Sequence, residues 1–144
     1  MRAITESVEV ACTPDRLFQT LHTPTEICMW WNARTAVVMP RPNGLWMATW
    51  GKDEDRPDYI TVARMKVFDP PKQLVMCEFE YWSGEEPLPF ADQLETAFQI
   101  EELRGHARLT VTQSGIPDEA TADEFFRRCC QGWKATLAAI KDFF

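Results

Sequence analysis

After Gly115-Ile116-Pro117 the apolar residues of this chain change their period from two to between three and four, and no other feature restricts its fold as much. Upstream, Ala107, Leu109, Val111 and Gln113 alternate with Arg108, Thr110 and Thr112, as in a strand with one buried face. Downstream, Phe125, Cys129, Trp133, Leu137, Ile140 and Phe144 form the stripe of a long amphipathic helix. A sheet with one apolar face and a helix with one apolar stripe bury both only against each other, which predicts an α+β domain. Asp118, Glu119 and Asp123 stand near the start of the helix, where carboxylates are favoured by about 0.3–1 kcal/mol each. Gly132 costs about 1 kcal/mol relative to alanine inside a helix, which predicts a close approach of the sheet or of a ligand there.

The preceding residues supply the rest of the sheet. Ile4 to Cys12 alternates with Ile4, Val8, Val10 and Cys12 on one face, and Glu6 falls in phase with them. Thr13-Pro14 begins a short helix, with a cap residue followed by proline where the missing N–H is harmless. Thr23-Pro24-Thr25-Glu26 repeats the device and predicts a capping box opening a second short helix that carries Ile27, Met29, Trp30 and Trp31. Six further strands are expected over residues 35–39, 45–50, 58–68, 74–82, 94–103 and 107–114, separated by turn formers. Glu78 and Glu80 assign Val75, Cys77, Phe79 and Tyr81 to the inside, and Thr96, Phe98 and Ile100 form another inner face. Ile60 and Val62 are out of phase with Met65 and Val67, which predicts a bulge near Ala63 or Arg64.

Composition narrows the function. A chain of 144 residues with 45% apolar and 26% charged residues fits one domain over residues 1–144, without a membrane-spanning run. The start lacks the pattern of a secretory signal, so a cytoplasmic location is expected. The net charge of −7 argues against a nucleic-acid partner, because phosphate binding relies on clustered Lys and Arg. Five cysteines, Cys12, Cys28, Cys77, Cys129 and Cys130, contain no C-x-x-C pair and predict neither a disulfide framework nor a zinc site. His22, expected as a cation ending the first helix, and His106 at a hairpin have no catalytic neighbours in sequence, so neither a catalytic residue nor a cofactor is assigned.

Six local motifs in one order carry a resemblance over nearly the whole chain. They are Thr13-Pro14 through Leu21, Trp30-Trp31, Gly44-Leu45-Trp46, Asp69-Pro70-Pro71-Lys72-Gln73-Leu74, Leu109 through Gly115, and Gly132-Trp133. Together they resemble the Hsp90-ATPase-activator-homologue-like branch of the START/Bet v 1-like (SRPBCC) superfamily. The departure is Ala63, where relatives often carry glycine. The resemblance implies a helix-grip fold, a seven-stranded curved antiparallel sheet with two short helices and a long C-terminal helix closing an elongated cavity. Relatives bind lipids, hormones, polyketides or other apolar molecules, and a few are cyclases or hydrolases.

A small apolar ligand held between sheet and helix is therefore the expected partner. A chaperone or other protein partner is the alternative that the family name raises, and a homodimer through an edge strand or the outer sheet face stays open. The expected lining comprises Trp31, Trp46, Trp50, Cys77, Phe79, Tyr81, Phe98, Gln113, Cys129 and Trp133, which would either border a pocket or fill it, and one of Trp30 and Trp31 either guards the mouth or packs under the Pro40 to Gly44 loop. An empty pocket of ~300 Å3 would cost several kcal/mol at about 24 cal/mol per Å3, so a retained cavity needs a use. Burying ~300 Å2 of ligand yields about 7 kcal/mol before an association cost of at least ~4 kcal/mol. Useful affinity then requires placed polar groups, for which Tyr81, Gln113 and the indole N–H of Trp46 or Trp133 are the candidates. Trp30 and Trp31 lie about 100° apart on a helix and are not expected in the same core.

Overall fold

The computed structural model describes residues 1–144 in the order β1 (Arg2–Val10), α1 (Pro14–His22), α2 (Pro24–Trp30), β2 (Thr35–Val38), β3 (Leu45–Trp50), β4 (Tyr59–Asp69), β5 (Gln73–Ser83), β6 (Glu86–Pro87), β7 (Glu95–Leu103), β8 (His106–Ile116) and α3 (Asp123–Phe143). Seven strands of four to eleven residues make one antiparallel sheet in the order β1-β8-β7-β5-β4-β3-β2, and the two-residue β6 folds back on the end of β5. The segment from Ser83 to Pro89, a turn by its sequence, is thus a short hairpin in which Leu88 N–H donates to the Tyr81 carbonyl at 2.8 Å. The sheet is open, with β1 and β2 as its edges. No helix is long and apolar enough to cross a membrane.

Local chemistry explains the elements. Thr13 caps α1 by accepting from Arg16 N–H at 3.2 Å, and Pro14 opens the helix. The expected capping box at Thr23 does not form. Its hydroxyl donates to the Gln19 carbonyl at 2.7 Å, because Thr23 also ends α1, and Glu26 pairs with Arg16 at 2.8 Å instead. His22 is no helix-end cation either: packed on Phe18 and Phe68, it has its pKa lowered by burial. At the other end, Arg2 of β1 binds Asp123 at 2.7 Å and the Pro117 carbonyl, and lies over the Phe126 ring, while the Met1 amino group pairs with Asp118 at 2.8 Å. These contacts dock the start of α3 on the edge of the sheet.

The inner faces of β3, β4, β7 and β8 follow alternation. Trp46 and Ala48, Thr61, Ala63 and Met65, Thr96 and Phe98, and Ala107 through Gln113 at every second residue are all buried. In β5 the reading fails. Leu74 and Met76 join the core, Val75 is buried outside it, and Cys77 lies on the outer face. Glu78, at φ 53, sits in a bulge in which Glu78 and Phe79 stand opposite the single residue Ala63, so the phase inverts and Phe79 and Tyr81 turn inward. The register shift falls at Ala63 as expected, but the extra residue belongs to β5. A second shift, with Lys66 of β4 as the extra residue, precedes Val67. A third lies at the end of β8, where Ser114 and Gly115 face Ala3 alone and Gly115 takes φ +83.

The core joins α1, α2 and α3 to the inner face in one cluster, in which Trp133, Thr136, Leu137 and Ile140 are the buried residues of α3. Phe125 and Cys129 of the predicted stripe are half-buried. Gly132 is exposed, and a methyl group there would meet nothing within 4 Å, so the expected close approach is absent.

Candidate ligand-binding site

Five of the six tryptophans converge where α2, β3 and α3 meet. Their arrangement begins with the end of α2. Trp31 lies one residue past the helix at φ −101, ψ 0, and Asn32 follows at φ 56, a left-handed conformation that asparagine tolerates. This exit lets the Trp31 ring lie on Trp30 at 5.2 Å and 17°, so both rings share one cluster, contrary to the 100° separation expected along a continuing helix. Trp31 also touches Trp46 at 5.5 Å, Trp50 at 5.6 Å and Trp133 at 5.6 Å, and Phe98 meets Trp133 edge-on at 5.8 Å.

Most of the indole donors are committed. Trp30 Nε1–H donates to the Thr20 carbonyl at 3.2 Å, Trp50 Nε1–H to the Trp31 carbonyl at 3.1 Å, and Trp133 Nε1–H to Gln113 Oε1 at 2.8 Å. Trp46 Nε1–H, buried on the inner face of β3, has no acceptor. Of the predicted polar groups, Gln113 is thus already engaged with Trp133, the half-exposed Tyr81 hydroxyl has no partner in the chain, and Trp46 holds a buried free donor.

The cluster is bordered by a half-exposed aromatic rim. Tyr81 stacks with Tyr59 at 6.4 Å and meets Phe125 of α3 at 6.4 Å, and Phe125 meets Phe90 at 5.2 Å. Trp31, Trp50, Tyr81, Phe125 and Cys129 are all partly accessible, in contrast with Trp46, Phe98 and Trp133 behind them. Burial raises the pKa of the Tyr81 phenol, and burial followed by the neighbouring Cys130 pushes the Cys129 thiol up to about 12. Both groups are neutral near pH 7, and a thiol so held is a poor nucleophile.

Of the predicted lining, Trp31, Trp46, Trp50, Tyr81, Phe98, Gln113, Cys129 and Trp133 therefore lie in the cluster or at its rim, and Phe79 belongs to the surrounding core. Cys77 does not. The β5 bulge turns it to the outer face, where it borders an open depression of about 510 Å3 with Arg2, Gln93 and Ser114. A second open depression, about 450 Å3 in volume, lies beside Glu9, His106, Lys141 and Phe144. There His106 Nε2 is 2.9 Å from Glu9 Oε1, and Nδ1 is 3.0 Å from the Arg104 carbonyl. Sequence reasoning missed Tyr59 and Phe125 as rim residues. Phe125 was legible in the helix stripe, whereas Tyr59 becomes a neighbour of Tyr81 only through strand pairing.

An open antiparallel sheet wrapped on a long C-terminal helix, with an aromatic interior and a half-exposed rim between them, defines a helix-grip domain of the START/Bet v 1-like class. The chain belongs to the family described as "Activator of Hsp90 ATPase homolog 1-like protein", whose profile matches residues 11–144. Similar solved structures include protein MLL2253 from Mesorhizobium loti (TM-score 0.75, 15% identity, 98% of this chain and 95% of that one). The Aha1 dimer from Colwellia psychrerythraea has a TM-score of 0.72 at 20% identity, covering 99% and 95% of the two chains. CalU16 from Micromonospora echinospora has a TM-score of 0.68 at 13% identity, covering 99% and 75%. At these identities the likeness is one of fold. No curated protein matches the chain in sequence.

Proposed function

We propose that this protein binds a small, mainly apolar molecule at the tryptophan cluster, entering between Trp50 and Tyr81 of the sheet and Phe125 and Cys129 of α3. The observation that carries this reading is Trp31, a half-exposed ring beyond the last turn of α2 that touches four other indoles. The rings fill the interior by touching one another, so a ligand would take the place of the Trp31 ring rather than enter a standing void. Swinging Trp31 outward exposes apolar surface that a flat ligand re-covers, which limits the energetic cost of opening. Five free cysteines, all half-buried, suit the reducing cytoplasm.

Native mass spectrometry of the gently purified protein tests the reading, with an added mass that disappears on denaturation as the expected result. Trp31→Ala, which leaves an apolar gap, should bind naphthalene-sized probes more tightly than wild type. The reading falls if neither protein retains or takes up any apolar compound and indole emission stays unchanged on titration.

The family description supports a second reading, a module that acts on an Hsp90-type chaperone, and the free edges β1 and β2 would admit self-association. Stimulation of an Hsp90-type ATPase by the purified chain, with its mass in solution measured alongside, separates this reading from the first.

A further inference from the structure

We propose that the site selects, among apolar molecules, those carrying a neutral hydrogen-bond acceptor such as a carbonyl oxygen, because Trp46, in contact with Trp31, has a buried indole N–H with no acceptor of its own. This rests on the reading of the cluster as a ligand site and specifies the ligand's polarity.

Two side chains make the argument. Trp46 is 1% exposed, and its Nε1–H meets no acceptor in the chain. Buried donors are rarely left so, since an unmet one keeps its full desolvation penalty. Gln113 is 8% exposed, and its Oε1 accepts from Trp133 Nε1–H at 2.8 Å. A flipped amide would set two donors against each other, so the free side of Gln113 is its NH2 group. That group makes no hydrogen bond to an oxygen or nitrogen of the chain, but unlike the Trp46 N–H it is not sealed in the interior, so it is the secondary donor. The Trp31 ring packs against the rings of Trp46 and Trp133, so a ligand in its place meets the indole that carries the unmet donor and the indole bonded to Gln113.

The sign and charge of the ligand group follow. An ammonium brings only donors and satisfies neither Trp46 nor Gln113. A carboxylate accepts, but no cation stands within the cluster: Arg2 lies over Phe126, Arg16 over Phe144, and Arg128, near Tyr81 at the rim, is exposed and paired with Glu124 at 2.8 Å. Burying an unpaired carboxylate is far more costly than burying a ketone or amide oxygen. The attraction of indole faces for cations runs the other way, but these faces already pack on one another, Trp30 and Trp31 in a stack.

The test compares four probes of one shape on the wild-type protein: acetylnaphthalene, ethylnaphthalene, naphthoate and protonated naphthylmethylamine. Calorimetry gives affinities, and the indole N–H resonances of the protein are followed by NMR. Acetylnaphthalene is expected to bind about tenfold more tightly than ethylnaphthalene and to move the Trp46 indole proton downfield, with both ions weaker than ethylnaphthalene. Trp46→Phe should narrow the gap between the acetyl and ethyl probes, and an unchanged gap would overturn the role of Trp46. Where that variant does not fold, the wild-type Trp46 shift decides by itself. Equal binding of the acetyl and ethyl probes, or tightest binding of either ion, overturns the acceptor rule and leaves an apolar site standing. Failure of all four to bind overturns both.

Discussion

Replacing Gly115 and Gly132 by alanine, one at a time, should move stability in opposite directions, and the structure sets the size of each change. Gly115 lies in the β8 bulge at φ +83, where an L side chain costs about 1–2 kcal/mol. A Cβ there would also stand 1.8 Å from the Gln93 carbonyl oxygen and 2.8 Å from its carbon. Those are backbone atoms of the turn that buries Phe90, Ala91 and Leu94, so relief requires the turn to move. Overpacking of this kind costs about 1–3 kcal/mol more. The sum, roughly 2–5 kcal/mol, corresponds to a fall in Tm of roughly 6–15 °C for a chain of this length. Gly132 is exposed on α3 with nothing within 4 Å of an added Cβ, and alanine there should stabilise by about 1 kcal/mol, raising Tm by about 3 °C. Thermal unfolding followed by far-ultraviolet circular dichroism, checked by urea titration, measures both. A Gly115→Ala protein melting within about 2 °C of wild type would refute the bulge argument, and a destabilised Gly132→Ala would refute the open face of α3.

Three further outcomes are expected. Trp133→Phe strands the buried Gln113 Oε1 and should destabilise by about 1–3 kcal/mol beyond its loss of packing, whereas Trp46→Phe removes an unmet donor and should cost less in a urea titration. Glu78→Gly relieves a left-handed residue in the β5 bulge and should stabilise by about 0.5–1 kcal/mol; a lower urea midpoint would contradict this. The His106–Glu9 pair should make stability depend on pH. Its hydrogen bond to Glu9 and then that to Arg104 raise the His106 pKa above 6.5, so its contribution is complete below that value and is lost as pH rises through the raised pKa. The same contact lowers the Glu9 pKa below 4.5, so the carboxylate's share is present above that value and is lost as pH falls through the lowered pKa. His106→Ala should lower stability between pH 4.5 and 6.5 and flatten the curve above and below that window, and an NMR titration placing His106 at or below 6.5 would remove the basis for the effect.

Periodicity made the architecture readable from the sequence alone. Strand alternation in β7 and β8, the Thr13-Pro14 start of α1 and the stripe of α3 are set by the geometry of neighbouring residues, and each matches the structure. The aromatic cluster was partly legible for the same reason: Trp46 and Trp50 share a strand face, and Trp133 lies on the helix stripe.

What failed depended on partners distant in the chain. Unbroken alternation through β5 places Cys77 inward, yet the bulge at Glu78 exists in relation to Ala63 on the next strand. Trp31 was separated from Trp30 by assuming the helix continued, whereas Asn32 turns the chain and stacks the rings. That Gln113 is spoken for and Trp46 is not appears only once β3, β8 and α3 are assembled. Repeating patterns arise from backbone geometry within a few residues, but a hydrogen bond or a bulge is settled by whichever remote group arrives opposite, and the order of residues along the chain does not encode that arrival locally.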